Sequence, residues 1–222
     1  MAPELELHSP AFKAVGLPLA RVAAWILFTL LGPFRVKQRS RVPSGGGLLI
    51  LSNHLADVDP IAVQMACPRP VYFMAKSELF EMFLLGKVIR WFKAFPVKRG
   101  EPDRSAIKKA VAYLKAGNVV CVFPEGELSE SGDLLPLKPG IALIVRMAGV
   151  PVICLGLKRT NRMLPYGSLL PRPALGWVEA AWSESKSFEK EATAEEIVAW
   201  AEGEIQALTG QKRAVLPAPS GE

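Results

Sequence analysis

Cysteine and histidine are both scarce in this chain of 222 residues, with three of the first and two of the second. Cys67, Cys121 and Cys154 are odd in number, and their spacing fits no metal site. They read as small buried side chains and point to a reducing, cytosolic environment. The chain has no G-x-S-x-G elbow, which removes a covalent serine hydrolase of that type. It has no RNP-like stacking motif, helix-turn-helix signature or zinc-finger spacing, so a nucleic-acid partner is not expected. Internal repeats are missing too, as is any linker that would split the body in two.

Apolar residues, by contrast, make up 50% of the chain, too many for a disordered protein and many for a purely soluble one. The net charge of +6 is uneven. Residues 1–100 carry 13 Lys/Arg against 6 Asp/Glu, whereas residues 181–222 carry 4 against 8. The basic half also holds the long apolar segments, which suits an anionic membrane better than a nucleic acid. From Ala14 to Phe34 the only charge is Arg21. Such a run is close to the ~20 residues that cross a bilayer core. Pro18 and Arg21 divide it, so the expectation is one membrane-associating helix or a helical hairpin. Trp25, Ile26, Leu27, Phe28, Leu30 and Leu31 surround that helix, and a helix apolar all round needs lipid or complete burial. The cations Arg35, Lys37, Arg39 and Arg41 follow it, with no small-residue cleavage site before them. They favour the cytoplasmic face of a membrane, the inner membrane in a bacterium.

Beyond the Gly45-Gly46-Gly47 turn, apolar runs at 48–52, 71–75, 93–97, 118–123 and 150–157 read as strands. Helical stretches at roughly 60–67, 78–92, 103–116, 138–148 and 193–209 alternate with them or follow. This order predicts an α/β fold, a layered and mostly parallel sheet flanked by helices. The divisions expected are an N-terminal membrane segment at 1–42, a domain at 43–210 and a disordered tail at 211–222.

One histidine stands where α/β proteins place their ligands. His54, in SNHLADVDP, follows a buried strand, with Asn53, Asp57 and Asp59 around it. Five residues separate His54 from Asp59, across a turn into a helix that Pro60 helps to start. A carboxylate brought to one imidazole nitrogen fixes the tautomer and leaves the other nitrogen to take a proton from a hydroxyl. A structural His–Asp pair is the competing reading. Two further stretches sit after strands: FPVKRG at 95–100, with Lys98 and Arg99, and VFPEGELSESGDLLPLKPG at 122–140. The first is a phosphate site or a solvated pair of cations, and the second a substrate loop or an ordinary turn.

Together these stretches resemble the glycerolipid acyltransferases, the family of the lysophosphatidic acid acyltransferases. NHLADVD matches the N-H-x-x-x-x-D signature, FPVKRG is similar to the second block, FPEGELSESG to the third and GVPVICLGL to the fourth. They stand in the family's order across about residues 48–158. The resemblance implies that His54 deprotonates an acceptor hydroxyl, oriented by Asp59, and that the hydroxyl attacks an acyl thioester. It implies no covalent acyl-enzyme, no metal and no cofactor beyond the co-substrate, acyl-CoA or acyl carrier protein thioester. Arg99, Glu125 and Gly126 become acceptor-binding candidates, with Lys138 assisting and Pro151 shaping the acyl side. The partners implied are membrane lipids and a lysolipid, 1-acyl-sn-glycerol-3-phosphate by base rate. One departure stands out: the family's Thr-Arg of the third block is Glu127-Leu128 here, which removes a bidentate partner for an anionic acceptor. Acceptors with another headgroup therefore stay open. Two other readings are a metal-dependent hydrolase using His54, Asp57, Asp59 and Glu125 or Asp133, and a non-catalytic membrane-binding protein.

Overall fold

A computed structural model describes residues 5, 7–97, 103–168 and 170–214. Its centre is a seven-stranded sheet in the order β1-β7-β6-β2-β5-β3-β4. The strands are β1 (Phe34–Lys37), β2 (Leu48–Ser52), β3 (Val71–Lys76), β4 (Phe95–Val97), β5 (Val119–Val122), β6 (Val152–Lys158) and β7 (Val178–Trp182). All neighbours run parallel except β6 and β7. This is the layered, mostly parallel sheet expected from the alternating pattern.

The middle strand shows why the sheet has helices on both faces. β2 reads LLILS and every residue of it is buried. Leu48 and Ile50 join one core, while Leu49 and Leu51 join the other. A strand apolar on both faces needs a layer on each. α2 (Asp59–Ala66) and the short α6 (Thr160–Met163) supply one layer. α4 (Arg104–Lys115), α5 (Gly140–Ala148) and α7 (Ala194–Thr209) supply the other. Asp103 caps α4 by accepting from the Ser105 and Ala106 N–H groups, and Thr193 with Glu196 forms a capping box at the start of α7. The expected helix at 78–92 is instead a 3-10 turn, Ser77–Phe80, followed by α3 (Phe83–Trp91).

β2 and β5 lie side by side, yet the helices that follow them, α2 and α5, go to opposite faces. The chain therefore opens a crevice at the carboxyl ends of these two strands, the usual ligand position in open α/β sheets.

The N-terminal segment is one helix rather than a hairpin. A π turn, Phe12–Gly16, leads into α1 (Leu17–Leu31) and leaves Pro18 in its first turn, where a missing N–H costs least. One stripe of α1 docks on the body. Phe28 is fully buried and meets Phe34 edge to face at 5.0 Å. The Arg21 guanidinium donates to the Gln64, Cys67 and Arg69 carbonyls, at the C-terminal end of α2 where backbone acceptors are left over. The other stripe leaves Leu19, Val22, Trp25, Ile26 and Leu30 at least half exposed.

Two boundaries differ from those expected. β1 lies within the segment assigned to the N-terminal 1–42, yet it pairs with β7 and belongs to the sheet. Its cations Arg35 and Lys37 alternate with the half-buried Phe34 and Val36, the pattern of an edge strand rather than of a membrane flank. Residues 211–214, placed in the tail, bond to the body: the Leu134 N–H donates to the Lys212 carbonyl, and the Ala214 N–H to the Leu134 carbonyl, both at 2.8 Å.

His8 is buried, its ring stacked on Phe12 at 4.3 Å and beside Tyr72 at 4.7 Å. Burial, with Lys13 and Lys93 nearby, lowers its pKa to about 4. A lowered histidine pKa means the folded form resists the proton. Docking of this segment is complete above about pH 6.5 and weakens as pH falls from there through about 4. An NMR titration of the His8 ring is expected to show a midpoint well below 6.5, whereas an ordinary midpoint would show a solvated ring.

Candidate active site

Asp59 turns back on the loop that precedes its helix. Its Oδ2 accepts from His54 Nδ1 at 2.9 Å, from the Leu55 N–H at 2.6 Å and from the Ala56 N–H at 2.8 Å. Three donors on one oxygen fold residues 54–59 into a closed turn, and the five-residue spacing is what the turn needs. Asp59 is fully buried, and its Oδ1 has no hydrogen-bond partner among the described residues. A charge solvated on one side only gains most when a cation forms beside it. Asp59 therefore stands ready to meet a positive charge that develops on the ring during a reaction.

The ring is fixed from a second direction by Phe123, stacked on it at 4.0 Å with the planes 16° apart. With Nδ1–H donating to Asp59, Nε2 carries the lone pair, and no described residue occupies it. The His54 backbone is held as well. Its N–H donates to Glu125 Oε1 at 2.7 Å, and its carbonyl accepts from the Ser129 N–H at 3.1 Å. The other Glu125 oxygen accepts from the Leu135 N–H at 2.8 Å. Glu125 thus ties the loop after β2 to the loop after β5. Burial, with Asp59 and Glu127 adding repulsion, pushes its pKa up to about 7 against the pull of the two N–H donors.

Gly126 sits at φ +77, which favours glycine, and the Lys138 side chain crosses directly over it. A Cβ there would lie 2.5 Å from Lys138 Nζ. Lys138 is further anchored by its N–H, which donates to the Pro124 carbonyl at 2.8 Å. The structure therefore brings together His54, Asp59, Glu125, Gly126 and Lys138. Pro151 is not among them. It stands before β6, where its carbonyl accepts from the Leu49 N–H at the start of β2. At ~3.3 Å per strand residue, that end of the sheet is about 15–20 Å from His54. Pro151 breaks the chain into β6 rather than lining this crevice. Arg99 lies outside the described residues. Asp57 is exposed, and it is Asp59 that reaches the ring. Glu127 is exposed too.

A metal hydrolase would need about three convergent ligands. Both Glu125 oxygens are engaged by backbone N–H groups, Asp57 is exposed, and no group of His, Cys, Asp or Glu suited to a metal occurs among the described residues.

Two residues emerge only in three dimensions. Asn53 pairs with the edge of β6: its Oδ1 accepts from the Leu157 N–H at 2.7 Å and its Nδ2 donates to the Leu157 carbonyl at 2.9 Å. The same Nδ2 donates to Gln211 Oε1 at 2.9 Å, and Gln211 Nε2 donates to the Gly132 carbonyl at 2.7 Å. Gly210, at φ +71 after α7, turns the chain so that Gln211 reaches this position. The polar company of Asn53 was visible in the sequence, but nothing local could mark Gln211.

Glu125→Gln tests the clamp. An amide accepts through one oxygen only, so one buried N–H loses its partner, at a cost of ~1–3 kcal/mol in chemical denaturation. A raised carboxyl pKa also makes the wild type lose stability as pH rises from about 4.5 through about 7. The substitution is expected to flatten that slope. An unchanged slope would assign it to other groups.

Similarity to known proteins extends over the domain that carries this site. The Acyltransferase family model matches residues 33–158, which begins just before β1 and ends with β6. A 1-acyl-sn-glycerol-3-phosphate acyltransferase of Bacillus subtilis is 32% identical over 129 residues, 58% of this chain and 64% of that protein. The enzyme of the same name from Streptococcus pneumoniae is 32% identical over 131 residues, 58% of this chain and 48% of that protein. The matches thus span less than two thirds of these relatives' own length. The crystal structure of the 1-acyl-sn-glycerophosphate (LPA) acyltransferase PlsC of Thermotoga maritima shares the fold, with a TM-score of 0.75 at 22% identity over 88% of this chain and 79% of that one. A family model that covers more than half of the sequence shows that this chain belongs to the acyltransferase family.

Proposed function

We propose that this chain moves a fatty acyl group from an acyl thioester to the hydroxyl of a lysophospholipid, 1-acyl-sn-glycerol-3-phosphate, in phospholipid biosynthesis. The observation that carries this reading is the His54–Asp59 pair, 2.9 Å apart, which leaves Nε2 to carry the ring's lone pair. Relatives with this acceptor in their names support the choice of acceptor. The acyl donor is a thioester of coenzyme A or acyl carrier protein, and it is the only co-substrate.

In this mechanism neutral His54 takes the acceptor's hydroxyl proton on Nε2 while Asp59 stabilises the imidazolium. The oxygen attacks the thioester carbonyl, the C–S bond breaks, and the imidazolium returns its proton to the leaving thiolate. No covalent acyl-enzyme intervenes. Lys138, held over Gly126, is the cation placed to meet the acceptor's phosphate.

Attachment to a membrane is part of the reading. The helix Phe12–Leu31 is 20 residues long, with a mean hydropathy of 1.9, enough by length and composition to cross a bilayer. Arg21 and Phe28 bind it to the body along one stripe, so attachment through its exposed stripe, in one leaflet, suits it better. The cations after it favour the cytoplasmic face.

His54→Ala and Asp59→Asn are expected to lower acyl transfer roughly 10²–10⁴-fold with little change in KM. Undiminished transfer by His54→Ala would remove the dyad from the mechanism. Lys138→Met is expected to raise KM for phosphate-headed acceptors and to leave phosphate-free ones nearly unchanged. An equal effect on both would move the phosphate contact elsewhere and favour a different headgroup.

A further inference from the structure

The connection from β6 to β7 carries a surface that the chemistry above does not use. Between Asp133 and Glu179 the chain has no acidic residue but six basic ones. Arg159, Arg162 and Arg172 of this stretch are exposed. So are large apolar side chains: Leu170 at 78%, Leu175 at 86%, Tyr166 at 54% and Trp177 at 43%. Apolar residues this exposed, interleaved with arginines, mark a surface that meets something apolar and negatively charged.

The same connection is fastened to the C-terminal end of α1. The Ala174 N–H donates to the Leu31 carbonyl at 2.5 Å and the Val178 N–H to the Pro33 carbonyl at 2.9 Å. Arg35, which follows α1, lies over the Trp177 ring at 4.4 Å. The exposed apolar stripe of α1, with Trp25, Ile26 and Leu30 in its last turns, thus continues into Leu175 and Trp177. In the other direction Tyr166 lies near Glu130, Glu127 and Asp57, exposed residues of the loops that carry His54 and Glu125.

We infer that the β6–β7 connection is a second lipid contact, which seats Leu170, Leu175 and Trp177 in the interface of an anionic bilayer beside α1. Two contacts at an angle fix the tilt of the body, which one helix does not. Leu175 and Trp177 precede β7 at the end of the sheet where β6 and β2 finish, so this contact holds the His54 end of the body near the surface in which a lysolipid resides. The inference rests on the lipid-facing reading of α1 and is independent of the acyl-transfer chemistry.

All three cysteines are buried, so single surface cysteines can be labelled selectively. Leu175→Cys, Val22→Cys on α1 and Ala207→Cys, exposed on α7 at the opposite face of the sheet, would each carry an environment-sensitive dye in the full chain. The vesicles are equal parts phosphatidylcholine and phosphatidylglycerol. Blue-shifted emission is expected at positions 175 and 22 and none at 207, with the shifts reduced in pure phosphatidylcholine. Replacing Arg162 and Arg172 by Gln is expected to weaken vesicle binding roughly 30-fold. A shift at 22 without one at 175 overturns the inference while leaving attachment through α1 intact, and equal shifts at 175 and 207 overturn it as well. Acyl transfer to a detergent-dispersed acceptor, measured alongside, reports on the catalytic reading separately.

Discussion

One carboxylate oxygen organises the catalytic end of this protein. Asp59 Oδ2 takes the His54 ring and two backbone N–H groups at once, and that convergence shapes the turn between β2 and α2. The turn delivers Asp59 to the first turn of α2, beside Pro60, and keeps the carboxylate away from water. Charge-assisted bonds of this kind are strong because the donors are preorganised and the site is dry. Oδ1 has no hydrogen-bond partner among the described residues, so the arrangement is asymmetric and its bonds converge on the ring side.

Everything else around the dyad restricts how the turn can move. Glu125 and Ser129 hold the His54 backbone from the loop after β5, Asn53 holds its neighbour to β6, and Phe123 closes one face of the ring. Gln211 then joins Asn53 to Gly132, so three strand ends and the residue after α7 form one hydrogen-bonded unit. The α/β layering makes this possible. Adjacent parallel strands present their carboxyl ends together, and the opposite placement of α2 and α5 leaves the space between them open.

Much of this was legible in the sequence because it is local. The alternation of strands and helices needed only apolar periodicity, and the His54–Asp59 pair needed only five-residue spacing after a buried strand. What was not legible depends on distance. Gln211 lies 158 residues from Asn53, and only the left-handed turn at Gly210 brings them together. β1 and β7 are edge-side strands of 4 and 5 residues, too short for a clear period, and the cations of β1 suggested a membrane flank instead. Pro151 shared a block with true site neighbours, but its place before β6 puts it at the wrong end of a parallel strand. The apolar helix was found, while its two-sided character was not: a side chain like Arg21, inserted among carbonyls, looks the same in sequence as one that divides a hairpin.

The scarcity of histidine that marks the sequence makes the dyad easy to observe, since only His8 and His54 contribute to a spectrum of 15N-labelled imidazoles. The two differ in hydrogen bonding: the His8 ring nitrogens have no partner among the described residues, whereas His54 Nδ1 is bonded to Asp59. Such a spectrum of the free protein is expected to show His54 as the neutral Nδ1–H tautomer, with a strongly deshielded proton that disappears in Asp59→Asn. A His54 ring protonated on Nε2 and bare on Nδ1 would have no lone pair facing the acceptor and would contradict its role as the base.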